Sequence, residues 1–381
     1  MTTSNAPSPL RDFIARADQP PTPYTAFSIG TVLKAYRRLT ACLPGTDVWF
    51  AVKAAPVPEL LTALGGLGCG VDVASPAEAR MCQAAGIPAA KISYGNPIRS
   101  PGEVEAAAFL GVRTFVVDTE LEVRRLASMV PGARVIIRLA HGGAGADWPL
   151  SYRYGCTANQ ARQLARQADR LLLDVAGVCW HVGSQQRDRQ AWDAPVAAAA
   201  TLWKDLARDG IHLRLLNVGG GLPADCYQRP APSVEDVADA ILTAVDEHFA
   251  DRPTLVVEPG RALTAAAGVT VVEIKAIAER VDGTYVFVDG GVFNIGLIES
   301  AAVGYRIDAL DHVGPDDEAT MPVTVSGPSC DSVDTLPAPY HLPKSLQVGD
   351  RLAIWGTGAY TWPYAAHLFN GYEPTSPVLL S

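Results

Sequence analysis

The sequence predicts a (β/α)8 barrel, an α/β fold, followed by a smaller C-terminal all-β domain. Short apolar strands alternate with amphipathic helices from Ser28 to about Arg261. This gives about eight βα units in roughly 230 residues, the size and rhythm of such a barrel. After Arg261 helical periodicity is scarce, and strand-like segments are separated by Gly, Pro and Asp turns. A doubly wound sheet is the alternative, but it rarely sustains this many alternations.

The predicted barrel strands are rich in apolar and β-branched residues, and one helix start is marked by Ser75, a good N-cap with Glu78 three positions later. The predicted strands are 47–53, 69–74, 91–94, 114–117, 135–139, 174–180, 213–218 and 254–257. The predicted helices are 28–41, 57–67, 76–85, 101–110, 119–128, 158–169, 189–209 and 233–249. In the β domain the predicted strands are 269–277, 285–289, 321–326 and 351–355.

These elements divide the chain into three parts. Residues 28–262 are expected to form the barrel, and residues 23–27 plus 263–381 a β-sandwich or β-barrel domain. Residues 1–22, rich in Ser and Pro and without the apolar core of a signal peptide, are predicted to be a flexible arm.

Composition excludes several classes of protein. The chain has 381 residues, 48% of them hydrophobic and 19% charged, so it can bury a large core. A net charge of −9 argues against a nucleic-acid or anionic-membrane partner, although it is compatible with a cationic substrate. The 7 cysteines form no CxxC pair, which indicates reduced thiols in a cytoplasmic protein and no metal site. No apolar stretch approaches the ~20 residues of a membrane span.

Lys53 ends the first barrel strand, Asp47-Val-Trp-Phe-Ala-Val-Lys53. An ammonium at the end of a buried strand must be paired, exposed or chemically used. Burial would also lower its pKa, which suits an amine that attacks a carbonyl. A lysine that simply extends to solvent at a strand end is the alternative interpretation.

Other polar and glycine residues recur at the carboxyl ends of the predicted strands, where barrel enzymes place their chemistry. They are Asp72, Arg138, His181-Val-Gly-Ser184, Gly219-Gly220-Gly221 and Glu258-Pro-Gly260-Arg261. Each has a structural alternative: a core histidine, a tight glycine turn, or a surface ion pair between Glu258 and Arg261. The glycine run lacks the GxGxxG spacing of a dinucleotide site, which argues against NAD.

Together these groups suit pyridoxal phosphate. That cofactor needs a lysine for covalent attachment, backbone N–H groups around its phosphate and an acid at its pyridine nitrogen. Glu258 would keep that nitrogen protonated, and an imidazole such as His181 can stack on the ring.

The same motifs resemble the fold-type III, alanine racemase-like pyridoxal-phosphate decarboxylases, the family of ornithine, lysine and diaminopimelate decarboxylases. The resemblance runs from about residue 22 to 372, with the motifs in family order. It is carried by Ala51–Ala54, Val71–Ser75, His181–Ser184, Gly219–Gly221, Glu258–Arg261, Gly327–Asp334, Gly358–Thr361 and Phe369–Tyr372.

The resemblance implies a role for each barrel residue. Lys53 would carry the cofactor, Glu258 would bind the pyridine nitrogen, and His181 would stack on the ring. Asp72 and Arg138 would lie near the attachment point. The phosphate would be held by Ser184, Gly220, Gly221, Gly260, Arg261 and Tyr360.

The resemblance also implies a homodimer with shared active sites, in which Cys330 and Asp331 complete the partner's site. Cys330 would return a proton to Cα, and Asp331 would contact the distal amine of the substrate, which Tyr360 also borders. An aspartate after the cysteine is similar to the ornithine/lysine branch. Glu299, after Phe293-Asn294, would stand where that branch has a second aspartate, unless it is an ordinary surface residue.

The expected activity is α-decarboxylation of a basic amino acid such as ornithine or lysine. The alternative substrate is another amino acid or an amino-acid conjugate in siderophore or other specialised metabolism, including a substrate of the diaminopimelate type. A same-fold racemase is disfavoured because it usually sets an arginine where Glu258 stands. An inactive regulatory homologue is disfavoured because the expected catalytic residues are present.

Overall fold

A computed structural model describes residues 7–149, 153–311 and 319–380. It divides into two compact units, and each is described by itself. Among the described residues, one comprises 36–149, 153–223 and 231–262; the other comprises 7–35, 224–230, 263–311 and 319–380.

The first unit contains a closed barrel of eight parallel strands, as predicted. Parallel strands need crossover connections, and helices supply most of them. The strands are Asp47–Ala51, Gly70–Val73, Ile92–Tyr94, Thr114–Val117, Arg134–Arg138, Asp174–Cys179, Leu215–Asn217 and Thr254–Val257. The helices are Ile29–Cys42 (shared with the other unit), Pro58–Gly66, Pro76–Ala84, Pro101–Phe109, Glu120–Met129, Ala158–Arg170, Asp193–Arg208 and Val234–His248, with 3-10 turns Val52–Ala54, Ala89–Lys91 and Arg189–Trp192.

Three local predictions for this unit are wrong. The first strand ends at Ala51, and Lys53 lies in a 3-10 turn. The predicted helix 189–209 begins as the 3-10 turn Arg189–Trp192, so its α-helical part starts at Asp193. Ser75 does cap its helix, but the Glu78 carboxylate accepts the N–H of Ala74 and not that of Ser75. An additional two-stranded sheet, Ala146–Trp148 with Ser184–Gln186, was not predicted.

The second unit is built on an eight-stranded sheet. Its strands are Tyr24–Ser28, Gly268–Arg280, Gly283–Val288, Arg306–Ala309, Thr320–Ser326, Thr335–Pro343, Arg351–Trp355 and Pro377–Leu380. The unit also has short helices Arg261–Thr264 (shared), Ser300–Val303 and 3-10 turns Ala265–Ala267, Trp362–Tyr364 and Phe369–Gly371. The predicted barrel followed by a mostly β part is therefore confirmed.

Strands 306–309, 335–343 and 377–380 were missed. Strand Thr335–Pro343 contains three prolines, which argue against a central strand. The structure places it at the end of the main strand order, next to Thr320–Ser326, and an edge strand tolerates residues that cannot donate to a ladder.

Residues 8–14 do not belong to a flexible arm. They form helix Ser8–Ile14, and Leu10 and Ile14 are buried with Tyr24 and Val271. The two aliphatic residues are four positions apart and so share one helical face. Residues 1–6 of the predicted arm lie outside the described residues.

A buried ion pair connects a helix and a strand of the barrel. Arg99 donates from Nε to Glu122 Oε2 at 2.8 Å and from Nη2 to Val116 O at 2.8 Å. Its guanidinium lies 5.3 Å from the ring centroids of both Tyr94 and Phe115. Both charged side chains are buried, so each depends on the other for its solvation.

We expect Glu122→Ala to destabilise the protein by about 3–5 kcal/mol, because it leaves the Arg99 charge buried without its carboxylate. Glu235→Ala, which removes an exposed partner of Arg38, should cost much less, because water solvates both charges. Chemical denaturation measures both. Equal losses for the two variants would contradict this account of Arg99.

Candidate active site

Lys53 stands beside Asp72 at the carboxyl end of the barrel. The Nζ atom is 3.9 Å from Asp72 Oδ2. The Lys53 side chain is 49% exposed, so of the options left open by the sequence it is both exposed and paired with a carboxylate. The turn that carries it follows Ala51, whose N–H donates to Pro259 O at 3.1 Å. This bond ties the lysine turn to the Glu258 segment.

Asp72 is buried opposite this lysine, on the next strand. Gly95 makes the space, because a Cβ there would collide with Asp72 Oδ1. Burial raises the pKa of Asp72 well above its usual value, and the charge of Glu258 raises it further, while Lys53 opposes the shift. Among the described residues Oδ1 has no hydrogen-bond partner. This acid therefore holds its proton more tightly than an exposed aspartate.

Glu258 follows the last strand and is held by two neighbours. Its Oε1 accepts a hydrogen bond from Asn217 Nδ2 at 2.6 Å, and its N–H donates to Gly219 O at 2.9 Å. Asn217 was absent from the predicted site. It could have been recognised in the sequence because it lies near a strand end, directly before Val218 and the glycine run.

His181 lies two residues after its strand, and its surroundings favour the neutral form of the imidazole. Its Nδ1 accepts the N–H of Gly183 at 3.0 Å, which leaves the ring proton on Nε2. Its pKa is lowered well below the usual value by burial first, then by the charges of Arg138, Lys53 and His141. His141, also missed, repeats the arrangement by accepting the N–H of Gly143 at 3.0 Å. The repeated His-x-Gly spacing could have revealed it.

The glycine run adopts conformations that need glycine. Gly219 has φ +74° and Gly221 φ +96°, in the left-handed region. A Cβ at Gly220 would lie 2.8 Å from Glu258 O and 2.9 Å from His181 Nε2. The run therefore passes close to both residues.

Arg261, Ser184 and Arg138 add polar groups to this unit. Arg261 is buried, and its Nη2 donates to Ser184 Oγ at 3.1 Å. Gly260 beside it is also buried. The Arg138 guanidinium lies 5.2 Å from the ring centroid of Tyr154. All ten predicted barrel residues thus belong to one unit, and the contacts above link most of them.

The remaining predicted residues belong to the β-sheet unit. Cys330 is exposed, and its N–H and Sγ both approach Asn370 Oδ1, at 3.2 and 3.4 Å. Asp331 is exposed, and its Oδ1 accepts the N–H of Val333 at 2.9 Å. Asn370 adopts φ +51°, so its position in the Phe369-Asn-Gly-Tyr motif has a structural reason.

Glu299 and Tyr360 belong to the same unit. Glu299 is buried, with 7% exposure, so its interpretation as an ordinary surface residue is wrong. Tyr360 has φ +55°, and its ring centroid is 6.1 Å from that of Tyr364.

A family model described as "Pyridoxal-dependent decarboxylase, pyridoxal binding domain" matches residues 29–265. The chain belongs to this family. It is 30% identical over 352 residues to the lysine/ornithine decarboxylase of Selenomonas ruminantium, covering 92% of this chain and 88% of that protein. It is also 30% identical over 365 residues to the ornithine decarboxylase of Mus musculus, covering 91% and 77%.

Solved structures agree with this assignment. The crystal structure of lysine decarboxylase from Selenomonas ruminantium matches with a TM-score of 0.86 and 29% identity, over 97% of this chain and 95% of that one. The resemblance inferred from the motifs is therefore confirmed, and the protein is a pyridoxal-phosphate-dependent amino-acid decarboxylase. No helix in the described part of the chain is long and apolar enough to cross a membrane.

The barrel residues fit the pyridoxal decarboxylase cofactor. The glycine run leaves space that a Cβ at Gly220 would fill, next to the His181 ring and the Glu258 backbone. The buried Oδ1 of Asp72 has acceptor capacity that no described residue uses. A lysine for covalent attachment and an acid for the pyridine nitrogen, both present here, are groups that this cofactor requires.

Asp72→Asn should raise the unfolding temperature of the cofactor-free decarboxylase at neutral pH. Since the folded-state pKa of Asp72 is raised, its contribution to stability is present in acid and is lost as pH rises above about 4. Asparagine stays neutral, so the gain should disappear below that pH. Thermal unfolding across pH measures this.

Asp209→Asn is the matched control with the opposite sign. Hydrogen bonds from Arg162 and Arg166 lower the pKa of Asp209, so its contribution is present at neutral pH and lost in acid. This variant should lower the unfolding temperature at neutral pH. A lower unfolding temperature for Asp72→Asn as well would refute the assignment of a raised pKa to Asp72.

Proposed function

We propose that this decarboxylase removes the α-carboxylate of a basic amino acid such as lysine or ornithine, giving the amine and carbon dioxide. The observation that carries the chemistry is the linked set of Lys53, Asp72, His181 and Glu258 at the strand ends. Bound pyridoxal phosphate would supply the electron sink for the bond that breaks.

Each barrel residue then has a defined task. Lys53 attaches the cofactor, and Asp72 beside it can exchange protons with the amine. Glu258 accepts a hydrogen bond from the protonated ring nitrogen. His181, neutral because its pKa is lowered, stacks on the ring without adding a second positive charge there.

The phosphate site follows from the glycine run and its neighbours. Backbone N–H groups of the run can approach an anion closely because no Cβ intervenes. Arg261 supplies charge-assisted hydrogen bonds, and its contact with Ser184 brings the guanidinium and the hydroxyl together. The whole proposed set is Ser184, Gly220, Gly221, Gly260, Arg261 and Tyr360, with Arg138 nearer the attachment point.

Two acids support a cationic distal group on the substrate. Glu299 is a buried acid and Asp331 an exposed one, and a carboxylate forms charge-assisted hydrogen bonds with an ammonium group. The relatives named for lysine and ornithine support the same substrate class. Because glutamate is one methylene longer than aspartate, Glu299 would shorten or reshape the pocket relative to the ornithine/lysine branch.

The functional unit is proposed to be a homodimer in which Cys330 and Asp331 complete the partner's site. Two hydrogen bonds link three segments of the β-sheet unit, residues 291–299, 327–334 and 361–375. Tyr372 Oη donates to Pro328 O, and Thr375 N donates to Asn294 O. These segments expose five large apolar side chains: Ile298, Val333, Tyr364, Leu368 and Tyr372. Contiguous exposed apolar surface is typical of protein interfaces. Cys330 within this face would return a proton to Cα after carbon dioxide leaves.

A cytoplasmic location is proposed as well. All 7 cysteines are among the described residues, and none of them forms a disulfide. This usage is typical of a reducing compartment.

Carbon dioxide release should be fastest with a basic L-amino acid in a panel of basic, acidic and apolar amino acids, D-forms and amino-acid conjugates. Glu299→Gln should raise KM for that substrate by about tenfold or more, since a charge-assisted contact is lost. The cofactor absorbance should be retained in Glu299→Gln and lost in Lys53→Ala. Preference for a conjugate or an apolar amino acid would overturn the proposed substrate class.

Mixing Lys53→Ala chains with Cys330→Ala chains should restore amine formation. If sites are shared, each mixed dimer has one site with both wild-type residues, so random pairing should give about a quarter of wild-type activity. Either variant mixed only with itself is the control. Amine formation no higher than in these controls would contradict shared sites.

A further inference from the structure

Asn217 connects the glycine run to Glu258. It is the last residue of strand Leu215–Asn217 and is fully buried. Its Nδ2 donates to Glu258 Oε1 at 2.6 Å, and its Oδ1 accepts the N–H of Gly219 at 2.9 Å. Both polar ends of one side chain are thus engaged by site residues.

The orientation of this amide is determined by its neighbours. A backbone N–H can only donate, so the atom that meets Gly219 must be the oxygen. The nitrogen therefore faces Glu258. An amide does not titrate, so the carboxylate has a hydrogen-bond donor at every pH.

A neutral donor suits the charges around it. Burial and the charge of Glu258 already raise the pKa of Asp72, so negative charges interact strongly in this site. Asn217 solvates Glu258 without adding another ionisable group. A hydrogen bond to a carboxylate favours its charged form.

We propose that Asn217 is a positioning residue that holds the Glu258 carboxylate toward the cofactor's ring nitrogen, so that this nitrogen stays protonated. The inference rests on the proposed role of Glu258. Without the donor, the Glu258 carboxylate would be free to rotate away from the ring nitrogen. The ring nitrogen would then lose its proton at a lower pH.

The experiment reconstitutes cofactor-free protein with pyridoxal phosphate labelled with nitrogen-15 in the ring, and follows the nitrogen signal by NMR across pH. The wild-type signal should stay that of the protonated ring. In Asn217→Ala the signal should move toward the unprotonated form, and the cofactor should bind about tenfold more weakly. In Asn217→Ser the hydroxyl is too short to reach Glu258, so we expect the same change in the nitrogen signal as in Asn217→Ala. This variant replaces Asn217→Ala in the experiment if the alanine variant does not fold.

Asn294→Ala is the matched control. Asn294 is a buried amide in the same arrangement, accepting the N–H of Gly291 at 2.8 Å and donating to Asp289 O at 3.0 Å. It has no contact with Glu258 among the described residues, so its loss should lower thermal stability but leave the ring-nitrogen signal as in wild type. A purely structural role of Asn217 would give this same pattern and would overturn the inference.

Glu258→Gln separates the inference from the proposal on which it rests. If this variant leaves the ring nitrogen protonated as in wild type, the proposed role of Glu258 is wrong. If it shifts the signal while Asn217→Ala and Asn217→Ser do not, only the role of Asn217 fails.

Discussion

Closure of eight parallel strands into a barrel is the constraint on which the active site depends. Parallel pairing directs every strand the same way, so all eight carboxyl ends reach one rim. Lys53, Asp72, His181 and Glu258 come from four different strand ends, separated by up to about two hundred positions in the chain. The ladder pairing of Ala51 with Asp72 and of Val256 with Asn217 brings them within reach of one another.

Desolvation at this rim shifts the pKa of two of these groups. Burial raises the pKa of Asp72 and lowers that of His181, so both shifts favour the neutral form of the group. Glu258 has a donor in Asn217, and Lys53 keeps contact with solvent. The burial and the hydrogen-bond partner of each group therefore matter to the site as much as the residue type.

The β-sheet unit follows a different principle. Its candidate residues lie on turns and short helices between strands, with Asn370 contacting Cys330 and the buried Asp334 accepting the N–H groups of Ser329 and Val292. Turn geometry rather than strand register determines where these side chains lie. An exposed cysteine set on such a turn is compatible with a residue that acts on a partner subunit.

The sequence by itself determined the barrel, the candidate residues and the cofactor. Three local patterns indicated the site: the lysine near the end of the first strand, the glycine run and Glu258. The alternation of apolar strands with amphipathic helices, which indicated the barrel, is also a local signal. The sequence could not reveal the partially exposed state of Lys53, the buried state of Glu299, or the contacts made by Asn217 and His141. Those depend on residues distant in the chain, because burial and hydrogen-bond partners exist only once the strands have closed. For the same reason the proline-rich strand 335–343 and the helix at residues 8–14 were recognisable only from the sheet and the apolar cluster that they join.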